Sequence, residues 1–509
     1  MDGDLPKQEF PISESASFAP GTQVEIKLRY EETGQTDKTV FKGIVVKQGL
    51  QIDSNGGVLT AEMSDASIKM TTTRKSAVFV DMKDDAVIKK LISAHGLQAK
   101  VPATKTQHKK LVQYYASDWD FMLSRAEVNG LLVSANATGL TLIAPKMSGA
   151  AKMKFDFNRG DVYEFALEAD ARSQLKAVQS VAWDVKKQAL TNPAKALPFA
   201  LKQGDFDANK FATAMGAPNE LLVAGIGLEV QEAQAWANAK LMRSRLSMYR
   251  GRIKIEGTAE IEVGDIIELG GVGARFAGKT IATAVRHIVS SGGWETHVQF
   301  GLDAEPFAAQ SSIVDAKASG LVPGVNGLQI GVVTGLVDPD NENRIEVKIP
   351  AVDAQNGLVW ARLAMPDAGN QRGILFRPEA ADEVILGFLN DDPRQAIIIG
   401  SVFSSANKPP FKAEDKNPEK GIVTRSGMKV VFDDEKKTLM ISTSADNVIT
   451  INEQDKFVEI KDANNNTVKM SKDGIVMESG KDVIIKSKGD VKIQASGGVE
   501  IKGAKIDVI

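Results

Sequence analysis

Four histidines, His95, His108, His287 and His297, are the side chains of this sequence best suited to proton transfer or metal ligation. Their separations match no metal-ligand pattern, although His287 and His297 could meet across a hairpin. The acidic clusters Asp391-Asp392 and Asp433-Asp434-Glu435 could in principle pair as general acid and base, but they lie in turn-rich text that favours solvated loops. The run Gly270 to Gly278, GGVGARFAG, invites a phosphate-cradling reading. Its spacing is not G-x-G-x-x-G and no helix follows, so a β-turn or loop is expected. Cysteine is absent, which removes disulfides and thiolate metal sites. There is no G-x-S-x-G, no P-loop and no H-E-x-x-H. These residues predict no enzyme activity, no metal and no cofactor.

The residues whose spacing does carry a message are apolar. From Lys481 the text reads KDVIIKSK, GDVKIQAS, GGVEIKGA, KIDVI. The pairs Val483/Ile485, Val491/Ile493 and Val499/Ile501 recur every eight residues, with Gly489, Gly497 and Gly503 near the breaks. Looser V-x-I pairs precede them: Val430/Phe432, Leu439/Ile441, Ile449/Ile451, Val458/Ile460, Val468/Met470 and Ile475/Met477. A fixed short period predicts a β-solenoid type of repeat. Within each unit the two apolar side chains share one face and charged or polar ones take the other. Burying each such Val or Ile contributes roughly 1.5–3 kcal/mol. One chain wound this tightly leaves strand edges and apolar faces open. Three interleaved chains close them, so an intertwined trimer is expected, with Val483, Ile485, Val491, Ile493, Val499 and Ile501 in its core. A single-chain β-helix or a hairpin stack is the alternative. Ile506, Val508 and Ile509 end the chain on apolar side chains, and solenoid ends need capping, so a separate protein is expected to dock there.

With 509 residues the chain should hold several domains, and 43% hydrophobic residues is ordinary for a folded protein. A net charge of −3 gives no bulk attraction to nucleic acid or anionic membrane. The N-terminal text has no signal-peptide pattern, and no apolar run is long enough to span a bilayer.

Five stretches position these residues. Residues 1–20 form a flexible lead. Residues 21–305 alternate strands with helical patterns. One such pattern is DDAVIKKLISAHGL, with Val87, Ile88, Leu91 and Ile92 on one face. A second helix is predicted over Gln113 to Glu127, capped by Ser117 or Asp118, and a third from about Val230 to Arg250. Residues 306–327 are small, polar and Gly/Pro-punctuated, a linker. Residues 328–410 hold short strands at barrel spacing, and 411–509 hold the repeat.

The barrel stretch carries an ordered set of signatures: Asp338-Pro339, Arg344-Ile345-Glu346-Val347, Trp360-Ala361-Arg362, Ala368-Gly369, Pro378-Glu379, Asp382-Glu383-Val384, Gly387-Phe388-Leu389, Asp392-Pro393 and Ile399-Gly400-Ser401-Val402. It resembles the oligonucleotide/oligosaccharide-binding (OB) barrel of VgrG-type spike proteins and phage baseplate spikes. Upstream, YYASDWDFMLSRAEVNG resembles the hub helix of that family, and GTAEIEVGDIIELGGVGARFAGK and VRHIVSSGGWETHVQF resemble its closing barrel strands. Ala381 departs from the pattern, standing where the family often has Gly before Asp-Glu. Against that pattern, neither a lysozyme-like insertion nor an enzymatic extension is expected. The compact form is similar to spikes of extracellular contractile injection systems of the antifeeding-prophage type.

The resemblance implies a mainly β fold with minor α: a hub of β-barrels with inserted α/β segments, an OB-fold barrel, and a C-terminal intertwined trimeric β-helix. It implies a structural central spike that adapts a sixfold inner tube to a threefold membrane-piercing needle. The implied partners are two further copies, a PAAR-like tip protein, inner tube and baseplate proteins, and effector cargo, with only transient membrane contact. Assembly in the bacterial cytoplasm and release in a phage tail-like particle follow from the same likeness. The alternative is a trimeric phage-tail spike or depolymerase acting on surface polysaccharide, but the short repeats put mainly Lys, Ser and Gly outward rather than paired acids. Binding of nucleic acid is not expected, because Trp360, Phe376 and Phe388 lack a Lys/Arg stripe beside them.

Overall fold

Helix α1 (Asp84–Ser93) turns its Val87, Ile88, Leu91 and Ile92 stripe into a core shared with Met70, Phe79, Met122, Leu140 and Leu142. The computed structural model describes residues 3, 6–30, 36–54, 56–136, 138–160, 162–216, 219–310, 313, 315–353 and 355–507. The chain divides into two units, Met1–Ala316 and Lys317–Ile509.

In the first unit an antiparallel sheet joins Gln23–Leu28, Lys38–Asp53 and Gly56–Ser64. A long hairpin then pairs Arg74–Lys83 with Gln107–Ser117 and carries α1. Helix α2 (Asp118–Val128) begins where the Ser117 hydroxyl accepts the Asp120 N–H at 3.0 Å. The sequence predicts helix from Gln113, and the structure corrects this. Gln113 and Ala116 are ladder partners of Ala77 and Lys75, and Tyr115 takes a left-handed φ of 38° at the bulge between them.

The largest sheet of this unit has seven strands and remains an open half-barrel. Its main path runs Val162–Ala169, Tyr249–Glu256, Gly293–Phe300, Gly278–Ser290, Ile266–Gly270, Met153–Asp156, with Lys202–Gln203 off the path. Ile253, Ile267, Val298 and Phe300 fill its core. A smaller sheet is built on Ala177–Asp184, which pairs in parallel with Asn219–Ala224. A short helix, α3 (Ala208–Ala214), precedes that last strand. Helix α4 (Val230–Leu246) packs on the sheet through Ala237 and Leu241 against Val178. It ends at Leu246 rather than Arg250, because Tyr249–Glu256 is committed to the large sheet. Among the described residues, no helix is long and apolar enough to cross a membrane.

The second unit opens with the barrel that the sequence predicts. Strands Gln329–Gly335, Ile345–Lys348, Leu358–Leu363, Ala396–Ser401 and Glu383–Phe388 pair in that order and close on the first. Only Leu358–Leu363 with Ala396–Ser401 is parallel. Closure removes every edge and buries Val333, Ile345, Val347, Ala361, Val384, Leu386 and Ile398. Before the second strand, Arg344 donates Nε to Asp338 Oδ2 at 2.9 Å and Nη2 to Oδ1 at 2.8 Å, which ties the loop shut. The chain is therefore mainly β with minor α, built from half-barrel sheets, a five-stranded closed barrel and a strand-rich tail.

Candidate functional site

The tail is where residue type and geometry converge on a surface. Seven strands from Glu419–Val423 to Gly474–Glu478 each pair antiparallel with the next. Their registers align the apolar pairs of the sequence into two continuous rows. One row runs Ile422, Val430, Ile441, Ile449, Ile460, Val468, Met477. The other runs Phe432, Leu439, Ile451, Val458, Met470, Ile475. Both rows lie on one face, because side chains two apart share a face of a strand. At about 4.8 Å per strand this face extends over roughly 30 Å. It is largely open: Phe432, Ile441, Ile449, Ile451, Ile460, Met470, Ile475 and Met477 are all exposed. The opposite face carries Thr450, Glu459 and Lys469 in cross-strand register, with Glu459 and Lys469 paired at 3.6 Å.

Turn chemistry fixes these registers. Gly427, Lys437, Asp446, Lys456 and Asn465 take positive φ, one in each of the first five connections, and Gly474 does so at the start of the last strand. Asp433 accepts the N–H groups of Glu435 and Lys436, and Asp462 those of Asn464 and Asn466. The Lys436 N–H and ammonium hold the Asp433 carboxyl below its ordinary range, and the Asn466 amide and N–H do so for Asp462. Asp433 and Asp392 are buried and engaged rather than solvated, since Asp392 receives Arg394 Nε at 2.9 Å and Nη2 at 2.7 Å. That corrects the solvated-loop expectation for these two carboxylates.

The strict eight-residue repeat behaves differently from the looser pairs before it. Among the described residues, Lys481 to Asp507 form no ladder. Val483, Ile485, Val491, Ile493, Val499 and Ile501 are 54–72% exposed, so one chain does not bring them together as a core. Ile506 is exposed as well, and Val508 and Ile509 lie outside the described residues. A signal for the boundary was present in the spacing. Strand starts at Lys429, Thr438, Val448, Phe457 and Thr467 are nine or ten residues apart, room for a five-residue strand and a hairpin turn. A period of eight is shorter than that unit.

The histidines do not form a site. His287 lies opposite Thr296 and His297 opposite Arg286 on one hairpin, so the two rings face opposite sides of the sheet and do not meet. Burial pushes the His287 pKa down. His95 Nε2 lies 2.8 Å from Asp118 Oδ2, and His108 Nε2 lies 3.1 Å from Asp84 Oδ2. Both carboxylates are structural: Asp118 also takes Lys75 at 2.8 Å, and Asp84 takes Arg125 and Asn129. Among the described residues, no three His, Asp or Glu side chains converge as a metal-ligand set. Gly270–Gly278 is a loop between antiparallel strands, with Gly271 and Gly273 at positive φ.

Comparison with known proteins divides along the same lines. The family described as the Alg8 N-terminal domain matches residues 1–291. The family described as the type VI secretion system/phage-baseplate injector OB domain matches residues 329–403. The type VI secretion system spike protein VgrG3 of Vibrio cholerae is 34% identical over 101 residues, 18% of this chain and 10% of that protein. The actin cross-linking toxin VgrG1 of Vibrio cholerae is 34% identical over 97 residues, 18% of this chain and 9% of that protein. The matched stretch thus spans about a tenth of the length of these curated relatives. A tail protein of Neisseria meningitidis superposes with a TM-score of 0.41 at 14% identity, over 58% of this chain and 91% of that one.

Proposed function

The chain belongs to the family of the Alg8 N-terminal domain and is a homologue of VgrG-type spike proteins, and from this we propose that three copies form the central spike of a contractile, phage tail-like injection particle. The observation that carries the proposal is the two-row apolar face of the tail sheet, exposed in the single chain. A patch of this extent on a soluble surface marks an interaction site. Three copies turned inward about a threefold axis bury all three faces and leave Glu459, Lys469 and their neighbours in solvent. Beyond Gly480 the three repeats intertwine, with Val483, Ile485, Val491, Ile493, Val499 and Ile501 as their core.

The part is mechanical rather than catalytic. The hub, residues 21–305, contributes two related barrel-like parts per chain and so six per trimer, which matches a sixfold inner tube to a threefold needle. Residues 306–327 link it to the barrel at 328–410, and 411–509 form the needle. Tube and baseplate proteins bind the hub, effector cargo travels with the particle, and a PAAR-like tip docks on Ile506, Val508 and Ile509. The particle assembles in the bacterial cytoplasm, acts after release, and touches the target membrane only in passing.

Light scattering after size exclusion tests this, on the full chain and on a chain truncated before Gly421. The spike reading expects a trimer of the full chain with an elongated profile that shortens on truncation. A monomeric full chain sinks it.

A further inference from the structure

The hub contains a cavity of about 610 Å³ that the spike role does not use. It is lined by Leu241 and Arg245 of α4, by Met248, by the segment around Phe199 and by Phe206 just before α3, with Lys176, Gln203, Asp207 and Asn209 as further polar members. That volume lies in the range of small-ligand sites. Arg245 is the unexpected member. It is only 8% exposed, and among the described residues its buried Nη1 has no hydrogen-bond partner. The opposing charge that acts on it, Asp207, is engaged elsewhere: it caps α3 by accepting the N–H groups of Asn209 and Lys210 at 2.7 and 3.3 Å. Burial lowers the Arg245 pKa and Asp207 only partly offsets that. A guanidinium stays charged in a protein, so a buried donor of one left without a partner is a standing cost. Its planar fork matches a carboxylate with two parallel donors.

We propose that this cavity binds a single carboxylate carried on an apolar stem, with Arg245 gripping the carboxylate and Phe199, Phe206, Leu241 and Met248 enclosing the stem. The nearby Asp207 charge favours a monoanion over a phosphate dianion. Such a carboxylate could come from a free amphiphile or from the C-terminus of a partner chain ending in an apolar residue.

Calorimetric titration of the full-length protein tests the proposal with octanoate for the first source and N-acetyl-Leu-Phe with a free carboxylate for the second. Octanol and the peptide amide are the neutral controls. At least one acid should bind about tenfold or more tightly than its neutral counterpart, and the one that does identifies the source. Arg245→Met should remove that preference and raise the ligand-free melting temperature, because an unpaired buried charge is replaced by an apolar chain of similar length. Leu241→Trp, which fills the cavity and keeps Arg245, should block the same acid. Equal binding of acids and neutral controls, no binding of either acid, or a melting temperature lowered by Arg245→Met would each overturn it.

Discussion

The guanidinium of Arg125 grips the carboxylate of Asp84 with two donors, Nε to Oδ1 at 2.7 Å and Nη2 to Oδ2 at 3.1 Å, across the contact between α2 and the start of α1. Asp84 is 1% exposed, and a third donor reaches it from Asn129 at 2.9 Å. The same arginine reaches Glu232 at the start of α4, so one side chain joins three helices. Removing it strands a buried negative charge. Arg125→Met should destabilise the hub by about 3–5 kcal/mol, read from denaturant unfolding, and adding Asp84→Asn should recover part of that loss. A loss under about 1 kcal/mol, the range of exposed pairs, would contradict this account.

Acid should also weaken this region. Burial pushes the Asp84 and Asp118 carboxyls up, but their bonds to Arg125 and Lys75 outweigh it and leave both below the ordinary 3.8. A carboxyl with a depressed folded pKa stabilises the fold above its unfolded value and loses that contribution as pH falls towards the folded one. Melting temperature should therefore begin to sag below about pH 6.5, where the buried neutral His287 resists protonation, and fall more steeply through 4 and below as the carboxylates protonate. Asp118→Asn should give a shallower acid slope than the parent, and an equal slope would remove Asp118 from the explanation.

Ala381 should be improvable. It holds φ at 72° in the turn where its N–H reaches the Val333 carbonyl at 2.9 Å. A Cβ in that left-handed region is strained, and glycine avoids the clash at some entropic cost. Ala381→Gly should stabilise the barrel by about 0.5–1 kcal/mol, and Ala381→Val should destabilise it. Denaturation of both variants checks the sign.

The chain end should be separable from the trimer. Deleting residues 506–509 should abolish capture of a PAAR-like tip protein while light scattering still reports three chains. Loss of the trimer on this deletion would place the assembly contacts in the wrong segment.

Some of this was readable in advance because the period was clean. The α1 stripe Val87, Ile88, Leu91 and Ile92 is a helical face and nothing else, and all four are buried. The barrel strands stood between Gly, Pro and Asp turn signals, and their closure matches the resemblance. The start of α2 was misjudged because Gln113–Ala116 suits helix and strand alike, and tertiary pairing with the 74–83 strand decided it. Helix α3 escaped notice because seven residues carry too little periodicity, and only the cap Asp207 announces it. Nor could spacing reveal Arg245, whose isolation depends on side chains from segments far apart in sequence. His287 and His297 misled because adjacency on a hairpin says nothing until register assigns the faces.

The tail's two connectivities set an order of events. Every strand from Glu419 to Glu478 finds its partner in the next stretch of the same chain, so that sheet has low contact order and its pairing is unimolecular. Lys481 to Asp507 has no such partner among the described residues, and in the proposed trimer its ladder comes from the other two chains. The first step therefore proceeds at a rate indifferent to dilution, while the second slows as chains become scarce. Scarcity at low expression would stall molecules with finished walls and an unfinished point, which makes synthesis level itself a control on how many become competent.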